Sequence, residues 1–292
     1  MKSRAVGKTV VQRRPVGPTT RVFAASLAIL LGLTVVNTTA QAKTPRSGPV
    51  DVLYAGSLFA LMQRHLAPAF HRATGYSVVG VSNGSSALAS EIKGGTEVGD
   101  VFLSASPSAD RALQGVANGR WVTTFSTFAT SSLELAYNPR SRFASDLRSK
   151  PWYDVVARPS FLLGRTDPAS DPKGVLAVEA LKSTAERRHQ PGLLALANSK
   201  SNVFEETAMI GELEAGQLDA GFFYAVEAKA AKLPTVALTG VKLYAEYTAA
   251  VLRRAPHGAA ARAFVAFLMS RTGKKILAAN GLTPTSTVRA GP

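Results

Sequence analysis

Apolar and polar positions along this chain alternate between two periods, and each switch from one to the other marks a repeated unit. In Val50–Leu58 (VDVLYAGSL) the apolar Val50, Val52, Leu53 and Tyr54 read as a short buried strand. Ala55-Gly56 reads as a tight turn. Ser57 then opens a helix in which Leu58, Leu61, Met62, Leu66 and Phe70 recur at helical spacing. Tyr76–Val81 predicts a second strand, followed by the turn Ser82-Asn83-Gly84-Ser85-Ser86 and a helix from about Ala87 with Leu88 and Ile92 inward. Asp100–Leu103 predicts a third, followed by Ser104-Ala105-Ser106-Pro107 and a helix over Ala109–Val116. Such strand–turn–helix units predict an α/β lobe with a parallel, doubly wound sheet. Their turns would gather hydroxyls and helix N-terminal amides at the carboxyl ends of the strands, where open α/β sheets bind ligands and anions are favoured. Ser57 stands where a helix N-cap is expected, and Ser85 and Ser86 fit capping equally well.

Further along, Trp121–Tyr137 reads as extended chain crossing to a second lobe that starts near Ser141. There the pattern predicts a helix at Trp152–Ala157, a strand at Ser160–Gly164 and a loop at Arg165–Gly174, marked by two Asp-Pro pairs. A helix over Val175–Arg188, a helix over Thr207–Ala215, a strand over Leu218–Tyr224 and a short helix over Glu227–Lys232 follow. Leu243–Arg253 reads as the return strand, Ala259–Arg271 and Gly273–Asn280 as helices, and Leu282–Pro292 as an irregular tail. The expected organisation is a leader at 1–42, a first lobe from 43–133 plus 247–292, and a second from 134–246.

Composition adds a compartment. Residues 1–21 carry Lys2, Arg4, Lys8, Arg13, Arg14 and Arg21 and no acid, an apolar run spans Val22 to Val36, and Ala40-Gln41-Ala42 follows as an A-x-A site. That is the pattern of a secretory signal peptide cleaved near Ala42, with an apolar run too short to span a membrane. Without cysteine there is no lipoprotein anchor, disulfide or thiol chemistry. Six of the 34 basic residues fall in 1–42, leaving 28 against 19 acidic, a net +9. The charges are scattered, with no Lys/Arg block, which argues against a nucleic-acid partner and for a broad field that gathers small anions.

The candidates for chemistry are few. Asp171, before Pro172, and Glu205-Glu206, before the Thr207 helix, could be ordinary helix N-terminal acids. Tyr224 ends an apolar strand. His65, His71, His189 and His257 are dispersed and fit no metal spacing, and no H-E-x-x-H, G-x-S-x-G or P-loop pattern occurs.

The ordered set is more specific than its parts. AGSL, SNGSSA and DVFLSAS after three strands, then TDPASDPKG, EETAMIGELEAGQLDAGFFY and FVAFLMSRTGKKILAANGLTP, resemble the periplasmic oxyanion-binding proteins of ABC transporters, and within them the tungstate/molybdate branch. The resemblance runs from about residue 50 to 285. It implies a two-lobed type II periplasmic binding protein, its lobes joined by a hinge and closing on one oxyanion. It places hydrogen-bond donors at Ser57 and Ser85, carboxylates at Asp171 and Glu206 (Glu205 being the alternative) and a tyrosine at Tyr224. In that branch the two carboxylates complete an octahedral coordination of the metal centre. This makes sense of an acid beside a dianion, a repulsive pairing unless the centre is Lewis-acidic. Sulfate and phosphate would then be rejected. The expected function is capture of molybdate or tungstate for an ABC permease, by a monomer with no cofactor and no catalysis. The rival readings are a ferric-iron or other oxyanion (sulfate, phosphate) binder on the same fold and, further off, an enzyme. Paired tyrosines for iron would have to come from Tyr54 and Tyr224.

Overall fold

The computed structural model describes residues 48–290; the expected leader lies outside them. Strands β1 (Pro49–Ala55), β2 (Ser77–Asn83) and β3 (Val101–Ser104) pair parallel, with β1 in the middle. The register sets Ala55 opposite Asn83 and Tyr54 opposite Leu103, so all three turns leave from one edge of the sheet. The helical run after β1 is not uniform: a 3-10 turn (Gly56–Leu58), an α-turn (Phe59–Leu61), a π-turn (Met62–Leu66) and an α-helix (Ala67–Thr74). Pro68 brings no N–H to the carbonyl four residues before it. The preceding turn widens, and Ala67 N–H bonds the carbonyl of Met62. Leu58, Leu61, Met62, Leu66 and Phe70 are all buried, as their spacing predicts.

Strand β4 (Thr124–Tyr137) is the long extended segment read from the sequence. Beyond it come β5 (Leu163–Gly164), β6 (Ala220–Tyr224), β7 (Thr235–Ala237), β8 (Tyr244–Val251) and β9 (Thr283–Ala290). The order is β2-β1-β3-β8-β4-β6-β5, with β7 and β9 also paired to β4. β4 changes partners partway. Up to Ser132 it pairs antiparallel with β8 and β9, and from Leu133 with β6 and β7. β5 runs parallel to β6, so the loop after β5 and the last residue of β6 also lie at carboxyl ends.

Several expectations are corrected. The tail is not irregular: it forms β9, an edge strand in which Pro284 falls at the register shift opposite Ala129. An edge position tolerates a residue with no N–H to give. The helices Ala144–Ser149 and Pro191–Asn198 add to the expected elements; Pro191 is well suited to the first helical turn of the second, and Leu193 and Ala197 are buried. The 175–188 helix begins earlier, at Pro172. β5 is two residues long where five were expected.

Buried acids staple the sheet to its helices. Asp100, fully buried, accepts hydrogen bonds from Asp51 N at 2.8 Å and from His257 N, and lies 2.9 Å from His257 Nδ1. The sequence spacing of the histidines hid this cluster, which ties β1 and the Gly258–Met269 helix at the end of the strands away from the turns. Asp110, also fully buried, accepts from the Thr248 hydroxyl of β8 while its Oδ1 finds no partner. Burial pushes its pKa up to about 7, the Thr248 bond opposing. An acid that holds its proton longer when folded costs stability as pH rises from the unfolded value near 4 through about 7. We expect unfolding free energy to fall over that window by up to about 4 kcal/mol on this account, and chemical denaturation at pH 5 and pH 8 to show a smaller difference in Asp110→Asn.

Candidate functional site

Five residues were expected at the site, and the structure brings their elements together. Ser57 lies inside the turn after β1, 4 % exposed, and does not cap it: the N-cap is Ala55, with no side-chain bond. Instead Ser57 Oγ accepts a hydrogen bond from the Tyr247 hydroxyl at 2.9 Å. Ser85 opens the helix Ser85–Gly94 without capping it, and its Oγ accepts from Ala105 N at 3.0 Å. Ser86 provides no cap either. Both Ser57 and Ser85 thus spend an acceptor site on the protein. For neither hydroxyl proton is an acceptor found among the described residues, so both can be given to a ligand.

Asp171 combines the two roles weighed for it. Its Oδ1 caps the Pro172–Arg188 helix by accepting from Lys173 N at 2.9 Å, while Oδ2 is buried without a partner. Glu205 and Glu206 part company. Glu205 is exposed, and its Oε2 accepts from Thr207 N, Thr207 Oγ1 and Ala208 N, the ordinary helix-start role. Glu206 turns inward; its Oε1 lies 3.4 Å from Lys173 Nζ and its Oε2 is buried without a partner. Tyr224, fully buried at the end of β6, has an unpartnered hydroxyl and packs edge-on against Tyr247, ring centres 6.0 Å apart.

The glycines of the two turns show how tightly these elements meet. A Cβ on Gly56 would sit 2.3 Å from Glu206 Oε2. One on Gly84 would sit 2.4 Å from the Ser170 carbonyl oxygen and 3.3 Å from Asp171 Cβ. Ala87 N donates to that same carbonyl at 3.1 Å. The turns after β1 and β2 therefore close directly on the segments that carry Asp171 and Glu206.

Sequence reasoning missed three residues here. Lys173, fully buried, reaches Glu227 Oε1 at 2.6 Å as well as Glu206. Glu227, also buried, accepts from Tyr224 N at 2.9 Å through its other oxygen, the N3 half of a capping box on the Ala225–Ala230 helix. Tyr247, not Tyr54, is the tyrosine beside Tyr224. A signal existed for Lys173: a cation in the first turn of a helix opposes the helix dipole, so the helix itself does not call for it. Tyr224-x-x-Glu227 carried the capping-box spacing, although tyrosine is no usual cap.

The charges act on one another strongly. Burial alone would lower the Lys173 pKa, but Glu227, Glu206 and Asp171 outweigh it and push it up, so the ammonium stays charged. Burial, then the nearby Asp171 charge, pushes Glu206 well above the carboxylate range, with Lys173 pulling the other way. Burial also raises Tyr224 and Tyr247, keeping both phenols protonated. Glu206 borders two openings: a cleft of about 200 Å³ that also takes in Gly84, Thr166 and Asp171, and a groove of about 300 Å³ that takes in Gly56, Ser57 and Arg64.

The mixed α/β fold, with hydroxyls and carboxylates converging at strand ends, is the fold of the type II periplasmic binding proteins. The chain belongs to the bacterial extracellular solute-binding protein family, which it matches over residues 50–283. A Haloferax volcanii protein provisionally named an ABC transporter molybdenum-binding protein is 29% identical over 75% of this chain and 66% of its own length. The molybdate/tungstate-binding protein WtpA of Pyrococcus abyssi is 25% identical over 52% of this chain and 60% of its own length. The chain thus spans less than two thirds of these relatives. The solved periplasmic molybdate-binding protein of Azotobacter vinelandii superposes with a TM-score of 0.62 at 19% identity, covering 80% of this chain and 98% of that one, a likeness of fold.

Gly84→Ala drives a Cβ into a backbone carbonyl that cannot step aside, so we expect a stability loss of about 1–3 kcal/mol. Gly56→Ala meets only the end of the Glu206 side chain. Its main effect should be to displace that carboxylate, which comparing the melting temperatures of the two variants would show as a smaller loss for Gly56→Ala.

Proposed function

We propose that this protein captures molybdate or tungstate between its two halves and delivers it to an ABC-transporter permease in the membrane. The observation that carries the reading is three buried polar atoms without partners, Asp171 Oδ2, Glu206 Oε2 and the Tyr224 hydroxyl, on segments packed against Ser57 and Ser85. Leaving such atoms unpaired costs about 1–3 kcal/mol each, a cost that a ligand taking their hydrogen bonds relieves. The Ser57, Ser85 and Tyr224 hydroxyls would donate to the oxygens of the anion. Asp171, and Glu206 once it gives up the proton that burial favours, have nothing to donate and would repel any simple dianion. They suit an oxyanion whose centre, molybdenum(VI) or tungsten(VI), accepts further oxygen ligands, and disfavour sulfate and phosphate. The anion is cargo, and the reading assigns no cofactor and no catalytic step.

In this reading the halves are 43–133 with 247–292 and 134–246, and the change of partners along β4 at Ser132/Leu133 supports a division near that point. Closure of the halves about that strand would exclude water from the site. A leader cleaved near Ala42, a periplasmic location and a monomeric state belong to the same reading.

A ferric-iron site is the second reading, favoured by one observation: Tyr224 and Tyr247 are paired in space beside carboxylates. Against it, burial holds both phenols protonated, and Tyr247 already donates to Ser57.

Thermal unfolding with tungstate, molybdate, sulfate and phosphate in parallel separates the readings. A ligand at about a hundred times its dissociation constant adds roughly 2.7 kcal/mol to native stability. We expect a higher melting temperature with tungstate and molybdate alone, lost in Asp171→Ala and in Glu206→Ala. A rise with all four anions would mean a site of hydroxyls only. No rise with any of them, together with a coloured ferric complex, would establish the iron reading instead.

A further inference from the structure

We infer that Lys173 is a positioning residue of the ligand site, holding Glu206 and Tyr224 in place for the anion without touching it. The inference rests on the oxyanion reading above. Three observations carry it. First, Lys173 is fully buried in the first turn of the Pro172–Arg188 helix, where the helix dipole disfavours a cation, so its stabilisation comes from the carboxylates around it. Second, its Nζ reaches both Glu227 Oε1 at 2.6 Å and Glu206 Oε1 at 3.4 Å. Engaging Oε1 leaves Glu206 Oε2 directed at Gly56, the side from which Ser57 approaches. Third, the network runs on to the other site residues. Glu227 Oε2 accepts from Tyr224 N, and Asp171 Oδ1 accepts from Lys173 N. One side chain and its own amide thus connect three of the five expected ligand residues.

The charge count points the same way. Asp171, Glu206 and Glu227 place three acids around one cation, and a dianion must enter beside them. Without the ammonium these three acids would have no cation among them. Groups that orient ligating side chains from behind typically cost 10–100-fold in metal affinity when removed.

The test is calorimetric titration of the full chain with tungstate, comparing wild type, Lys173→Met, Lys173→Arg and Glu227→Ala, with circular dichroism to confirm that each is folded. Lys173→Met keeps the length of the stem and removes the charge, and tungstate affinity should fall about 10- to 100-fold. Lys173→Arg restores the charge and should recover part of that loss. Glu227→Ala frees Lys173 from its Tyr224 anchor and should weaken binding too; it decides the matter if Lys173→Met does not fold. A merely structural lysine would lower the melting temperature and leave the dissociation constant of the folded protein unchanged. Wild-type affinity in folded Lys173→Met or in Glu227→Ala would overturn the inference. A wild-type protein that binds no oxyanion would overturn the proposed function itself, a separate result.

Discussion

A single buried ammonium, Lys173, makes the rest of the ligand-side architecture possible. Removing one partner from a buried charge pair typically costs about 3–5 kcal/mol, because the remaining charge is stranded away from water. Here the pair is a cluster: Glu227 and Glu206 share the lysine, with Asp171 two residues before it in sequence. The carboxylates could not be gathered this closely, and this far from solvent, around a neutral side chain. Their gathering in turn defines which oxygens are spent on the protein and which remain free.

The distribution of spent and free atoms is what gives the site a preference. Each serine accepts one bond, Ser57 from Tyr247 and Ser85 from Ala105 N, and retains its own proton. Each acid uses one oxygen inside the fold, Asp171 on a helix cap and Glu206 on Lys173, and retains the other. Donors and acceptors are therefore offered side by side, an arrangement that suits a ligand able to receive both. A purely accepting anion meets the hydroxyls well and the carboxylates badly.

The first three strand–turn–helix units were legible because each is a local pattern: an apolar run, a Gly/Ser turn and a helical stripe suffice to specify them. The long β4 was legible for the same reason. β9 was not, since TPTSTVRA has no apolar face of its own and becomes a strand only because β4 offers it a free edge. At the site, residue identities were legible and their partners were not. Ser57 and Ser85 look like helix caps in sequence, and neither caps; Asp171 looks like one and is one, with a second oxygen left over. The choice between Glu205 and Glu206 rests on which of two adjacent side chains turns inward, a matter of one peptide's orientation. Lys173, Glu227 and Tyr247 come from three separate elements, and no spacing rule could have joined them.

β4 has a further consequence, for how the chain folds. Its first half stays unpaired until β8 and β9 arrive from more than a hundred residues downstream, as with Ser126 opposite Ala249 and Thr124 opposite Ala290. Ladders closed over such separations form slowly, because loop entropy is lost before the contacts return it. A nascent chain that has made only the first three units thus lacks the strand partners that complete its sheet. Completion of the sheet therefore waits on β9, the C-terminal strand among the described residues.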